Sequence, residues 1–212
     1  MPTSNLPRRP ALAVLLATAF VPAWVAAQSA PSASPPVRLR GTIESVTADR
    51  LVLTDRSGQR VELALAPTLA VTEMFPVGPK AIKPGSFVGV GAMPQADGTQ
   101  RAIAVLVFPE GMRGTGEGHR PFDFLPQSTM TNATVSGEVA SSPDGQRRMR
   151  LVYPGGEQSI VVPPDAPIVS LRPGSRDLLL PGAGVSVTAQ AIGDQPTALR
   201  ITAGRNGFKP PY

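Results

Sequence analysis

Gly41-Thr-Ile-Glu-Ser45 returns downstream as Gly137-Glu-Val-Ala-Ser141, at an offset of 96. Lys83-Pro84-Gly85, which precedes Phe87-Val88-Gly89-Val90, returns as Leu180-Pro181-Gly182 before Val185-Ser186-Val187, at an offset of 97. Two matches so far apart, agreeing within one residue, point to duplication of a whole unit and predict that Gly41 and Gly137 occupy equivalent places. Around the first match, Leu39, Gly41 and Ile43 alternate with Arg40, Thr42 and Glu44, the period-2 pattern of a half-buried strand. Leu51-Val52-Leu53 and the alternating Val61, Leu63 and Leu65 flank the turn Asp55-Arg56-Ser57-Gly58, which reads as a β-hairpin. Pro67 is expected to end that strand, with residues 69–72 as a short extra one and 75–83 as a Pro/Gly loop. Residues 86–93 and 101–108 form the next hairpin, across Ala96-Asp97-Gly98-Thr99.

The second unit repeats the order. Its strands are predicted at 134–139, 149–153, 158–162, 184–191 and 197–202, with turns at Pro143-Asp144-Gly145 and Pro154-Gly155-Gly156-Glu157. Pro163-Pro164 stands where Pro67 stood. Five short strands with a long connection before the fourth predict an all-β chain of two tandem OB-like five-stranded Greek-key barrels, with small β-sandwiches as the alternative. The units span residues 37–109 and 132–207, joined by a linker at 110–131 and followed by a tail at 208–212. Gly41 and Gly137 suit the bend or bulge that closing a barrel needs. Outside the N-terminal segment, no window longer than about ten residues keeps a 3.6 period without Pro or Gly, so little helix is expected.

Residues 1–27 have the parts of a secretory signal. Arg8 and Arg9 precede the apolar run 11–21, Pro22 breaks it, and Val25-Ala26-Ala27 offers small residues for cleavage before Gln28. Pro10-Ala11-Leu12 fits a twin-arginine signal poorly, which favours general secretion. Residues 28–36, rich in Ser, Ala and Pro, read as a disordered tether. The expected location is periplasmic or secreted, with no transmembrane segment in the mature chain. The chain has no cysteine, which excludes lipoprotein anchoring, disulfide staples and thiolate metal sites. Its net charge of +5 falls to +3 without Arg8 and Arg9, a weak argument for an anionic partner.

The linker breaks the strand pattern. Glycines at 111, 114, 116 and 118 lead to the sole histidine, His119, and to Phe122 and Phe124. A connection this long is functional or latched. Phe108-Pro109-Glu110, Gly116-Glu117-Gly118-His119, Pro121, Asp123 and Ser128 through Thr134 carry a resemblance. So do Lys83-Pro84-Gly85, Pro94 through Gly98, Val161 through Pro164, and Pro210-Pro211. On these residues the chain resembles an uncharacterised family of exported bacterial proteins built from a domain of unknown function with a small β-barrel fold. The resemblance covers the mature chain and implies fold and export but no activity. Phe122 departs from it, standing where the family pattern has a tryptophan.

Glu117, His119 and Asp123 are the one cluster of metal-capable side chains, with Met112 or Met130 as a soft addition for Cu(I). The other reading is that these groups fasten the linker by hydrogen bonds. Phe122, Phe124 and Met130 are the candidate ligand or linker contacts. Gly114-Thr-Gly116-Glu-Gly118 lacks the Walker lysine and a βαβ context, and no cofactor is expected. A lone histidine without a nucleophile elbow leaves no serine-hydrolase constellation. Arg147, Arg148 and Arg150 form one basic cluster, but the scattered aromatics give no stacking platform for nucleic acid. The expected function is a non-enzymatic binding or structural module whose partner is an unknown envelope component. A periplasmic metal-binding accessory protein using His119 is the alternative.

Overall fold

The computed structural model describes Met1 and residues 34–212. The rest of the expected signal and the first part of the tether, residues 2–33, lie outside the described residues. The described chain is all-β. Its strands are β1 (Val37–Val46), β2 (Arg50–Asp55), β3 (Arg60–Pro76), β4 (Phe87–Pro94), β5 (Gln100–Val107), β6 (Gly118–Pro121), β7 (Thr129–Ser141), β8 (Arg147–Tyr153), β9 (Gly156–Val162), β10 (Ile168–Pro173), β11 (Gly184–Ile192) and β12 (Gln195–Ala203). Among the described residues the helical content is three single 3-10 turns, and no helix there is long and apolar enough to cross a membrane.

The alternation read from sequence sets which side chains face inward. β1 pairs β2 and β11, β2 pairs β3, β11 pairs β12, and β12 returns in parallel to β3. These five strands close a barrel around Ile43, Leu51, Leu53, Leu63, Val187 and Ile201, all buried. Each such side chain contributes about 1.5–3 kcal/mol by leaving water. β4 pairs β5 and β7, and β7, β8 and β9 follow as a meander. β9 returns in parallel to β5 through Gln100↔Ile160 and Arg101↔Val161 alone. Val88, Val90, Val105, Val135, Leu151 and Ile160 fill this second ring.

The closing hairpins are therefore not where a tandem order puts them. Residues 37–109 and 132–207 do not each close on themselves: β4–β5 completes the ring of β7–β9, and β11–β12 completes the ring of β1–β3. The length of β3 is the cause. Its 17 residues reach about 56 Å at roughly 3.3 Å each, farther than one small barrel is tall. Pro67 does not end it, because residues 66–69 fall in the irregularity where β3 passes from β2 to its later partners, and no ladder position there requires the missing N–H. Beyond that point β3 pairs antiparallel with β10, Phe75 opposite Ser170 and Met74 opposite Leu171. This carries the chain away from the first barrel and delivers β4 beside β7. Met74, Leu106 and Val169 form a small core at the crossing, and buried Glu73 is bound by Arg172 and Arg205.

Gly41 lies in β1 and Gly137 in β7, the strands that open the meanders β1–β3 and β7–β9, but they are not counterparts. Ile43 donates to Ala183 O (2.9 Å) and accepts from Gly182 N (2.8 Å). In the other ring Val135 donates to Ser86 O (2.8 Å) and accepts from Gly85 N (2.9 Å). Ile43 thus matches Val135, an offset of 92, whereas their partners Leu53 and Leu151 differ by 98. The hairpin after β7 is longer by the difference, and Gly137 falls in that extension, at a bulge with φ +71°. Gly41 has no bulge of its own. It is glycine because a Cβ there would sit 2.3 Å from Thr54 O on β2.

Candidate functional site

The linker is more ordered than its glycines suggest. A 3-10 turn at Glu110–Met112 is followed by tight turns, with Gly114 and Gly116 at positive φ, and then by β6, which pairs with β7. Asn132 Nδ2 donates to Thr115 O (2.9 Å) and Arg120 Nη1 to Gly116 O (2.7 Å), so the turns are tied to the strands beneath them. Residues 122–128 form a loop closed by Phe122 N donating to Ser128 O (2.8 Å). Buried Ser128 places its Oγ 2.8 Å from the carbonyls of both Phe122 and Leu125.

That loop presents Asp123 to β1. Arg40 donates through Nη2 to Oδ1 (2.8 Å) and through Nη1 to Oδ2 (3.3 Å), a two-pronged ion pair across 83 residues. The Arg40 side chain is only 9% exposed. Its guanidinium lies 5.4 Å from the centroid of Phe122 and 5.9 Å from that of Phe124, which stack at 6.0 Å with 14° between planes. Tyr212 meets both rings edge-on, and Arg56 lies 4.1 Å over Phe124. The Arg40 hydrogen bonds hold the Asp123 carboxyl below its usual range, and burial pushes the Tyr212 phenol up.

The three residues singled out as metal-capable are dispersed among separate partners. His119, on β6, has Nδ1 2.8 Å from Thr131 Oγ1 and its ring stacked on Tyr153 at 6.4 Å. Burial, with the Arg120 charge behind it, lowers the His119 pKa. Asp123 faces Arg40. Glu117 lies in the turn before β6, where its backbone N–H donates to Gly114 O (3.2 Å) and its charge favours the Arg113 cation. Among the described residues no three His, Asp or Glu side chains gather as a metal site would require.

Of the expected contact residues, Phe122 and Met130 are buried and Phe124 is half-buried, so they pack inside the protein and do not line an open groove. Sequence reading missed Arg40, Arg56, Ser128, Thr131 and Tyr212. Arg40 looked like an ordinary solvent-side strand residue, and no local pattern reveals a carboxylate 83 positions away. The basic residues Arg147 and Arg150 are in use, donating to Pro79 O (3.0 Å) and to Glu157 (3.3 Å). No family model, curated protein or solved structure matches this chain.

Proposed function

We propose that this chain is an exported, non-enzymatic module of the bacterial envelope: a rigid pair of OB-like barrels, related by duplication, whose closing hairpins are exchanged and whose linker is a clamp. In the ring of β1–β3, β11 and β12 the first strand pairs antiparallel with the fourth and the third pairs parallel with the fifth, the connectivity of a Greek-key barrel of the OB type; the other ring has the same pairing when β7–β9 are counted before β4–β5, which precede them in the chain. The secretory features of residues 1–27 and the resemblance to exported bacterial β-barrel proteins support the location.

The observation that carries the clamp is the Arg40–Asp123 pair seated on Phe122, Phe124 and Tyr212. It spends the chemically distinctive side chains of the linker on joining β1, the loop before β7 and the C-terminal segment. A module of this kind presents surface to an envelope partner and turns over no substrate. Two measurements test the reading. Cell fractionation should recover a chain cleaved near Ala27 outside the cytoplasm, and an uncleaved cytoplasmic chain rejects export. Trypsin should cut the intact linker after Arg113 slowly, and at least about tenfold faster in a Phe122→Ala/Asp123→Asn variant. Equal rates reject the clamp.

A further inference from the structure

Beside the clamp lies a cleft of about 210 Å³, lined by β1, the turn after β2, the start of β11 and the C-terminal segment. Its lining includes three cations, Arg40, Arg56 and Lys209, against one carboxylate, Asp55. Asp55 is occupied locally: one oxygen accepts from Ser57 N (2.8 Å), Ser57 Oγ (2.7 Å) and Gln59 N (2.9 Å), fixing the turn that carries Arg56. Arg40 has both terminal nitrogens on Asp123, while its Nε is buried with no hydrogen-bond partner among the described residues. A buried N–H of a guanidinium left unpaired is costly, and a bound water or ion is among the things that satisfy such a group in a native structure.

The positions of the cations strengthen the case. Arg56 and Arg40 are held to one another, Arg56 N donating to Arg40 O (3.2 Å), and both guanidiniums sit over the Phe124 ring. No ion pair engages Arg56 among the described residues, although each guanidinium is in the other's field. Lys209 lays its stem across Gly184, where the Cγ would lie 3.0 Å from an added Cβ, so a glycine at that position brings the lysine onto β11. Two like charges brought together on an aromatic platform, with a third beside them, form an arrangement that an oxyanion completes.

We propose that this cleft binds the oxyanion of a larger ligand, a phosphate or carboxylate group received between Arg56, Arg40 and Lys209. The volume is below the roughly 300 Å³ at which pockets begin to enclose a whole small molecule, so the cleft takes the acidic group and leaves the rest of the ligand outside. This goes beyond the clamp, which uses the two terminal nitrogens of Arg40.

The test is a titration of the ¹⁵N-labelled mature chain, residues 28–212, with sodium phosphate and separately with sodium acetate, ionic strength being held constant with chloride. Saturable shifts are expected at the amides of Gly41, Thr42, Arg56 and Gly184 and at the Nε–H signals of Arg40 and Arg56. The anion that saturates identifies which oxyanion is recognised. Arg56→Gln should weaken binding at least about tenfold, whereas Arg50→Gln, on the same hairpin but bound to Glu62, should leave it unchanged. Absence of saturable shifts with both anions, or equal affinity in Arg56→Gln, overturns the proposal. Tryptic cutting of the linker on the same samples reads the clamp independently, so the two readings fail separately.

Discussion

A methyl group added at residue 41 has nowhere to go. It would lie 2.3 Å from Thr54 O and 2.9 Å from Leu53 Cδ1, and only movement of the β1–β2 ladder relieves that. Gly137 is the opposite case, with φ +71° and no atom within 4 Å of an added Cβ. Gly41→Ala should therefore lose at least about 3 kcal/mol through overpacking, and Gly137→Ala only about 1 kcal/mol through its left-handed backbone. Urea denaturation of the two variants checks the order; equal losses contradict it. His119 gives a pH signature. Its folded pKa is lowered, so above the unfolded value of about 6.5 both states are neutral and full stability is present. As pH falls through that value the unfolded chain takes the proton first, and stability declines until the folded pKa is passed. Asp123 acts in a lower window: its stabilisation is present above the unfolded value of 3.8 and is lost as pH falls through the lower folded one. The urea midpoint should thus decrease from pH 7 to 5.5 in the parent, and His119→Gln should flatten that slope.

Elements differ in how firmly they are joined. The parallel seam between β3 and β12 has six paired positions, and that between β5 and β9 has two. β10 supplements the weaker seam by pairing with residues 105–107 of β5. Hydrogen exchange should consequently be faster along Gln100, Arg101, Ile160 and Val161 than along Ala198 and residues 200–203, and uniform protection would show the seams to be equivalent. The strands themselves were legible, since Leu51-Val52-Leu53 and Val61/Leu63/Leu65 alternate as half-buried strands must. β6 was not, because Gly-His-Arg-Pro has no apolar period and is a strand only through its pairing with β7. Nor was the partner of each closing hairpin: Val88/Val90 and Val185/Val187 carry the same pattern and would satisfy either ring. Asp123, Phe122 and Phe124 could be singled out as unusual linker residues. Their partners Arg40 and Tyr212 could not, because distant pairing leaves no mark on local composition.

At the scale of the whole molecule, one ring is a contiguous stretch, residues 87–162, and the other takes its strands from either side of it, residues 37–76 and 184–203. Neither ring can be lost without removing the supports of β3 and β10, which join them. Urea unfolding followed by far-UV circular dichroism should therefore coincide with that followed at Tyr153 beside β9 and at Tyr212 between the rings. Separate midpoints would mean that the rings unfold independently. The closing hairpin of the first barrel also sets an order on biosynthesis. Val71 cannot meet Ile201 until 130 further residues have been made, whereas every strand of the other ring has emerged by Val162. A growing polypeptide can thus complete its middle before its beginning, and residues 37–76 must wait with bare edges until β12 has been made.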